Sequence, residues 1–98
     1  MRWEFHPEAR IEFRESANFY EGSRPGLGVA LTNEIEAVLE LIVEASERWL
    51  LIKADVRRCL ARRFPFGVLY TIETDYVLNV GVMYCSRKPD YWQGRLEN

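Results

Sequence analysis

The chain has 98 residues and a formal net charge of −2, and 48% of its residues are hydrophobic. This length and composition predict one globular domain over residues 1–98 and exclude an intrinsically disordered chain. No apolar run approaches the ~20 residues of a membrane-spanning helix and no apolar signal segment follows Met1, so we expect a cytoplasmic protein that does not contact membranes.

The charge is divided unevenly between the two halves of the chain. Residues 1–50 contain five Arg and ten Glu, a net of −5. Residues 51–98 contain two Lys and six Arg against three Asp and two Glu, a net of +3, and the two halves sum to −2. A general nucleic-acid binder would carry a strong net positive charge. Contacts with nucleic acid or an acidic protein are therefore expected in the second half alone.

The chain begins with a strand that leads into a helix. Residues 2–6 place Trp3 and Phe5 on one face, which predicts a short strand. Pro7 suits the first position of a helix, and apolar residues then recur every three or four positions to about residue 21. These apolar residues are Ala9, Phe13, Ala17 and Tyr20. The single histidine, His6, lies at the boundary, where we expect it to cap or pack.

A turn cluster at residues 22–26 separates this helix from a second one. The second helix is predicted to run from Leu27 to residue 45 or 46 with one apolar stripe. The stripe consists of Leu27, Leu31, Ile35, Val38, Leu39 and Ile42. Glu36, Glu40 and Glu44 lie away from the stripe, and we interpret them as a solvated face rather than an acidic site. Two such helices joined by a short loop predict an antiparallel hairpin.

The second half is predicted to supply the sheet that covers this hairpin. Residues 49–52 are expected to cross from the hairpin to the sheet as a buried segment. Three strands follow at residues 56–64, 66–73 and 76–84, with short turns between them, which predicts an antiparallel meander. The fold class is therefore α+β, in the order β-α-α-β-β-β, with a helical hairpin packed on a mostly antiparallel twisted sheet.

The last strand leads into a tail that is rich in cations and large aromatic side chains. Tails of small domains are usually frayed, whereas this composition is typical of a buried anchor or a contact surface. We interpret Tyr91 and Trp92 as structural pins more readily than as contacts. The cations of the tail are Arg87, Lys88 and Arg95.

Few groups in the chain suit redox or metal chemistry. Cys59 and Cys85 fall within or at the end of predicted strands in a chain without an export signal, so we expect both to be reduced and packed. No cofactor and no metal site are expected.

Four short motifs occur in the order and spacing of one protein family. They lie at the entry to the first helix, at the joint between the helices, in the arginine-rich strand with its turn, and in the tail. They are Phe5-His6-Pro7-Glu8-Ala9, Tyr20-Glu21 with Pro25-Gly26-Leu27-Gly28, Arg57-Arg58 with Arg63-Phe64-Pro65-Phe66 and Tyr70, and Arg87-Lys88-Pro89 with Tyr91-Trp92 and Arg95. Along nearly its full length the chain resembles the ParE branch of the RelE/ParE toxins.

The resemblance implies the toxin of a type II toxin–antitoxin pair. Such a toxin inhibits DNA gyrase by binding it and is neutralised by a cognate antitoxin protein. The residues that the resemblance implies for target binding are Arg57, Arg63, Arg87, Lys88, Trp92 and Arg95.

Two alternatives stay open on the same fold. RelE-like members cut messenger RNA on the ribosome, which requires a base, a cation beside the phosphorane and an acid. The candidate residues for that reaction are Arg57, Arg63, Tyr84 and Arg87. Many members carry a histidine where this chain has Tyr84-Cys85-Ser86, and an unperturbed phenol with a pKa of ~10 is a poor base. The other alternative is a degenerate member that binds antitoxin alone.

Overall fold

The computed structural model describes residues 1–85 and 92–96, which form two helices, a five-stranded sheet and a short C-terminal 3₁₀ helix. In chain order the elements are β1 (Arg2–Phe5), α1 (Pro7–Ser23), α2 (Leu27–Glu44), β2 (Leu50–Lys53), β3 (Val56–Leu60), β4 (Phe66–Ile72), β5 (Tyr76–Tyr84) and the 3₁₀ helix Gln93–Leu96. None of the helices in the described residues is long and apolar enough to cross a membrane.

The strands form one sheet in the order β1-β5-β4-β3-β2. β1 is parallel to β5, and every other neighbouring pair is antiparallel. The predicted α+β class, with a helical hairpin on a mostly antiparallel sheet, is confirmed. β1 forms one edge of the sheet and β5 lies next to it. The first and last strands of the described residues are therefore neighbours, and all the other helices and strands lie between them in chain order.

The sheet contains one strand more than the sequence predicts. Residues 50–53 form β2, which pairs with β3 through Leu50 opposite Arg58 and Leu51 opposite Arg57. The prediction that this segment is a buried crossing is wrong, since Leu50 is 69% exposed. β2 is an edge strand of the sheet, and within it Leu50 and Leu51 are exposed whereas Ile52 packs partly against the sheet's second core.

β3 ends at Leu60, four residues earlier than the predicted strand. Residues 61–65 form a loop instead. Phe64, which was expected to lie on the strand, packs in the core beneath the helices, whereas Leu60 is exposed. The prediction failed here because Val56, Leu60 and Phe64 lie at a spacing that suits one face of a strand and is also compatible with a loop that turns one aromatic ring inward.

The hairpin packs its apolar stripe on one face of the sheet. The stripe predicted for α2 is confirmed, because all of its members except the partly buried Leu27 are buried. Glu36, Glu40 and Glu44 are exposed, as expected for a solvated face. Each fully buried Val, Leu or Ile side chain stabilises the fold by about 1.5–3 kcal/mol, so this contact is the main source of stability. The sheet contributes Val68, Tyr70, Val77 and Val82 to it.

A second, smaller core lies on the opposite face of the sheet. The register of β4 and β5 shifts there, because Leu69 pairs with Gly81 and Tyr70 pairs with Asn79, which leaves Val80 as an extra residue. Such a bulge redirects the side chains that follow it. The members of this core are Val56, Leu69, Val80, Met83 and Trp92.

The two cysteines have different environments, and both are free thiols. Cys59 is buried as expected, and its burial raises the pKa of the thiol. Cys85 is exposed, so the expectation that it is packed is wrong.

Two glycines and one glutamate fix the joint between the helices. Gly26 has a φ of +89°, in the left-handed region that favours glycine. The Glu21 carboxylate accepts hydrogen bonds from the N–H groups of Gly26 at 2.8 Å and Gly28 at 3.0 Å, at the positive end of α2. A Cβ on Gly28 would lie 2.4 Å from the carbonyl oxygen of Ala17. The two helices therefore approach as closely as they do because residue 28 has no side chain.

Replacing Gly28 by alanine tests this close approach. We expect Gly28→Ala to destabilise the chain by about 1–3 kcal/mol, because the new methyl group must push the helices apart. Gly22→Ala is the matched control, since a Cβ at Gly22 of α1 meets no atom within 4 Å and alanine favours a helix. Urea unfolding of the two variants measures the difference, and equal stabilities would contradict the packing argument.

The Glu21 carboxylate gives a second test through its pH dependence. The pKa of Glu21 is lowered by the hydrogen bond from Gly26, and further by those from Gly28 and Val29. Its contribution to stability is complete above the ordinary pKa of a glutamate and is lost as the pH falls through the lowered value. Glu21→Gln should therefore reduce the melting temperature at neutral pH, with a difference that shrinks as the pH falls below the ordinary pKa of a glutamate. Glu36→Gln, on the exposed face, should show neither effect.

Candidate functional site

The loop between β3 and β4 presents two arginines to solvent. The Glu34 carboxylate of α2 accepts hydrogen bonds from the backbone N–H groups of Arg63 at 2.7 Å and Phe64 at 3.1 Å, which fixes the loop. The side chain of Arg63 is 75% exposed, and its Nε lies 4.0 Å from Glu34, at the outer limit of an ion pair. Arg62 is exposed as well. Two guanidinium groups on a fixed backbone can bind an acidic surface.

The end of β5 lies beside this loop. Tyr84 pairs with Phe66 in the sheet, and Cys85 donates its backbone N–H to the carbonyl of Pro65 at 2.8 Å. Tyr84 is 45% exposed, and its ring packs edge-on against Phe66 with the centroids 5.5 Å apart. The exposed side chains at this end of the sheet form what we call the loop-end surface, which consists of Arg62, Arg63 and Tyr84.

Arg57 lies away from the loop-end surface and forms hydrogen bonds within the fold. Its Nη1 donates hydrogen bonds to the carbonyl oxygens of Trp49 at 2.7 Å and Glu47 at 3.1 Å. Next to it, the Tyr70 hydroxyl donates to the carbonyl of Ser46 at 2.7 Å. Burial raises the pKa of Tyr70 to about 12, so this donor keeps its proton at any physiological pH. Arg57 and Tyr70 together fasten the segment between α2 and β2 to the sheet.

Trp92 and Arg95 lie in contacts with the rest of the chain. Trp92 is 2% exposed and packs in the second core. Arg95 Nη1 donates hydrogen bonds to the carbonyl of Val80 at 2.8 Å and to Glu12 Oε1 of α1 at 3.3 Å. The side chains of this ion pair are both largely buried. The two residues anchor the C-terminal segment to the sheet and to the first helix.

The residues named for the endonuclease reaction are not all brought together. Arg57 pairs with Tyr70 and Tyr84 pairs with Phe66, so the two lie four positions apart along β4. At about 3.3 Å per residue, this separation is roughly 13 Å along the strand direction alone. Arg57 and Tyr84 therefore do not converge on one phosphate group, whereas Arg63 and Tyr84 share the loop-end surface.

Of the remaining predicted residues, His6 caps a helix and the others lie outside the described part of the chain. His6 is the N-cap of α1, and its Nδ1 accepts a hydrogen bond from the N–H of Glu8 at 3.2 Å, as expected for a capping residue. Arg87, Lys88 and Tyr91 lie outside the described residues. Within residues 1–85 and 92–96, no group of three or more His, Cys, Asp or Glu is placed to hold a metal ion.

Sequence reasoning missed the carboxylates that hold two of the predicted arginines. Glu12 pairs with Arg95 across 83 residues, and Glu34 binds the backbone of Arg63 across 29 residues. Neither spacing follows the period of a helix or a strand, so no local pattern indicates it. The sequence did contain a signal at Phe19, which lies outside the apolar stripe of α1 and is exposed.

Comparison with solved structures finds a likeness of fold to a chain of "Chromosomal ParDE TA system from P. aeruginosa", with a TM-score of 0.71 and 11% sequence identity. The match covers 85% of this chain and 91% of that chain. No family model matches the chain, and no curated protein matches its sequence. At this identity the likeness shows the fold alone, and at the level of fold the expected resemblance to a ParDE toxin–antitoxin system is confirmed.

The burial of Trp92 predicts its effect on stability. Trp92→Ala should cost about 3 kcal/mol or more, because it leaves a cavity in the second core. Phe19→Ala is the matched control, since Phe19 is an aromatic residue that is 70% exposed and should contribute little to stability. Thermal unfolding of both variants tests the expectation. If Trp92→Ala had the same melting temperature as the wild type, the second core would not depend on this ring.

Proposed function

We propose that this chain is the toxin of a ParE-type toxin–antitoxin pair that inhibits DNA gyrase by binding and is neutralised by a cognate antitoxin. The observation that carries the proposal is the likeness of its fold, over most of both chains, to a chain of a ParDE system. The four ordered sequence motifs support it independently. The proposed setting is the bacterial cytoplasm, and the proposed cellular role is plasmid stabilisation.

The loop-end surface is the proposed contact with the gyrase target. Arg62 and Arg63 are exposed, and the basic half of the chain supplies them. Arg57, Trp92 and Arg95 are engaged within the fold, so we propose that they act on toxicity by maintaining its shape. Arg87 and Lys88, which lie outside the described residues, are kept as proposed target contacts.

We propose binding as the mode of action, and the geometry supports it in one respect, because Arg57 is not available for RNA cleavage. The roughly 13 Å between the strand positions of Arg57 and Tyr84 separates one of the proposed cations from the proton donor proposed for the endonuclease, whereas Arg63 lies on the same surface as Tyr84. Arg57 also donates hydrogen bonds to the carbonyl oxygens of Glu47 and Trp49. An enzyme needs both groups on the same phosphate, whereas a binding toxin needs neither arrangement.

One groove suits a helical part of the proposed antitoxin. It lies between α2 and β3, has a volume of about 830 Å³, and exposes Leu41 and Leu60. An amphipathic helix binds such a groove through apolar residues one turn apart. Arg62 and Arg63 line one end of the groove, so a helix bound there would cover part of the loop-end surface. Occupancy of this groove would thereby block the proposed contact with gyrase.

Expression in a bacterial host without antitoxin tests the proposed target. We expect growth arrest with filamentation and DNA-damage signalling while translation continues. Arg63→Ala should reduce toxicity, because an arginine lost from a desolvated contact costs about 2 kcal/mol or more in binding. Arg24→Ala, an exposed arginine in the acidic half, is the matched control and should remain toxic. Melting temperatures of both variants should equal that of the wild type.

A cleavage assay with purified ribosomes programmed with a defined message tests the endonuclease alternative. We expect the message to stay intact, and we expect Tyr84→Phe to keep its toxicity. Cleavage in the ribosomal A site that disappears in Tyr84→Phe would establish the endonuclease instead. A stable chain that binds antitoxin and does not arrest growth would indicate the degenerate member.

A further inference from the structure

The first helix separates its charged side chains between two faces. Arg10 and Arg14 are one turn apart on one face, whereas Glu12 and Glu15 lie on the other. Like charges at these spacings repel each other, so each face is stabilised by an opposite charge. Arg95 supplies that charge to Glu12. Within residues 1–85 and 92–96, no ion pair involves Arg10 or Arg14, and the basic face therefore has no internal counterpart to the Arg95 contact.

The two arginines line a groove of about 380 Å³ that α1, α2 and β1 bound on three sides. β1 contributes Trp3 and Phe5 to it, and α2 contributes Thr32. Of the described residues that line the groove, none is acidic. Sites for small molecules have volumes of about 300–1,000 Å³, so this groove has room for a compact ligand. Because both guanidinium groups are exposed, that ligand would be an anion.

The wall opposite the solvent consists of aromatic rings. Phe5 of β1 and Phe13 of α1 are stacked, with their centroids 5.8 Å apart and their planes 13° apart. Trp3 lies two residues before Phe5, on the same face of β1. All three side chains pack against the main core and are only partly buried, so part of each ring faces the groove. Aromatic rings next to guanidinium groups suit a ligand that joins a flat ring to a negative charge.

Two polar side chains on the helical side can form hydrogen bonds with such a ligand. Asn18 is exposed, and its amide both donates and accepts. The Thr32 hydroxyl donates its hydrogen to the carbonyl of Gly28 at 2.9 Å, which leaves its oxygen as an acceptor. The groove thus combines flat apolar surface, two cations and neutral hydrogen-bonding groups. These are the groups that a base, a phosphate and a ribose require.

We propose that this groove binds a nucleoside phosphate. The base packs against Trp3 and the stacked phenylalanines, and the phosphate lies between Arg10 and Arg14, whose guanidinium groups bind its oxygens from successive turns of α1. A free nucleotide and the phosphorylated end of a nucleic acid present the same chemistry. The net charge of −2 is unfavourable for a long polyanion, so we expect the free nucleotide. No residue of the loop-end surface or of the groove between α2 and β3 takes part, so the site is separate from the proposed toxin contacts.

Calorimetric titration of the full chain at low ionic strength tests the groove, because salt screens exposed charges. The probes are ATP, adenosine and inorganic triphosphate, which present the whole ligand, the base with its ribose, and the phosphates alone. We expect ATP to bind with a dissociation constant below about 1 mM and each part to bind about tenfold or more weakly. If ATP does not bind, or binds no more tightly than either part, the proposal is overturned.

Two further probes distinguish the source of the ligand and the alternative of a protein partner. An oligonucleotide with a terminal phosphate represents the end of a nucleic acid, and a capped peptide of alternating glutamate and phenylalanine represents an acidic protein. Displacement of ATP by the oligonucleotide supports the groove, and the tighter of the two ligands identifies the source. If the peptide binds more tightly than both, the groove is a protein contact and the proposal is overturned.

Paired variants separate a binding role for the arginines from a structural one. Arg10→Gln and Arg14→Gln should each weaken ATP about tenfold. They should maintain or raise the melting temperature of the free chain, because each removes the repulsion between like charges and glutamine favours a helix. Arg24→Gln is the matched control, since Arg24 is exposed and outside the groove, and it should leave ATP binding unchanged. Equal weakening in all three variants would overturn the proposal.

The tryptophans report where the base lies. The chain has three tryptophans, so labelling with fluorotryptophan gives three ¹⁹F signals, and Trp3→Leu identifies the signal of Trp3. ATP should shift that signal alone. Trp3→Leu should also weaken ATP about tenfold, whereas Trp49→Leu, a change at another partly buried tryptophan of the main core, should not. A shift at Trp49 or Trp92 with none at Trp3 would overturn the proposal.

Discussion

The extra residue in β5 is the constraint on which the rest of the structure depends. Val80 has no partner in β4, and the buried amide of Asn79 holds the bulge by accepting a hydrogen bond from the N–H of Gly81 at 2.9 Å. Because the strand is displaced there, the Val80 side chain enters the second core while its carbonyl meets Arg95. The bulge therefore places the Val80 side chain in the core that contains Trp92. It also places the Val80 carbonyl where Arg95 can bind it and hold the C-terminal segment.

The same irregularity coincides with the end of β1. Among the described residues, β5 pairs with both β1 and β4 before the bulge and with β4 alone after it. Arg95 joins the bulge to α1, because it donates hydrogen bonds to the Val80 carbonyl and to Glu12. The bulge therefore sets both the end of the parallel pairing and the point at which the C-terminal segment is fixed to the first helix.

Four of the described arginines of the basic half fall into two physical roles. Arg57 and Arg95 donate to backbone carbonyls and are partly or largely buried, so their charges are used to satisfy groups that the fold would otherwise leave unpaired. Arg62 and Arg63 sit on a loop whose backbone is fixed by Glu34, and their guanidinium groups remain in water. The proposed contact with an acidic target requires the second kind, and the first kind holds that surface in place.

The sequence by itself determined the helices, the hairpin joint and the α+β class, because the 3.6-residue and two-residue periods and the glycines near residue 26 are local properties of the chain. It also indicated that the tail is anchored. Tertiary structure alone decided that residues 50–53 add an edge strand, that Arg95 finds Glu12, and that Arg57 faces inward. The Arg95–Glu12 contact joins groups 83 residues apart in the chain, and the other two outcomes depend on how the segment after α2 folds back onto the sheet. No local pattern in the sequence predicts such contacts. The composition therefore identifies the arginines but does not show which of them form hydrogen bonds within the fold.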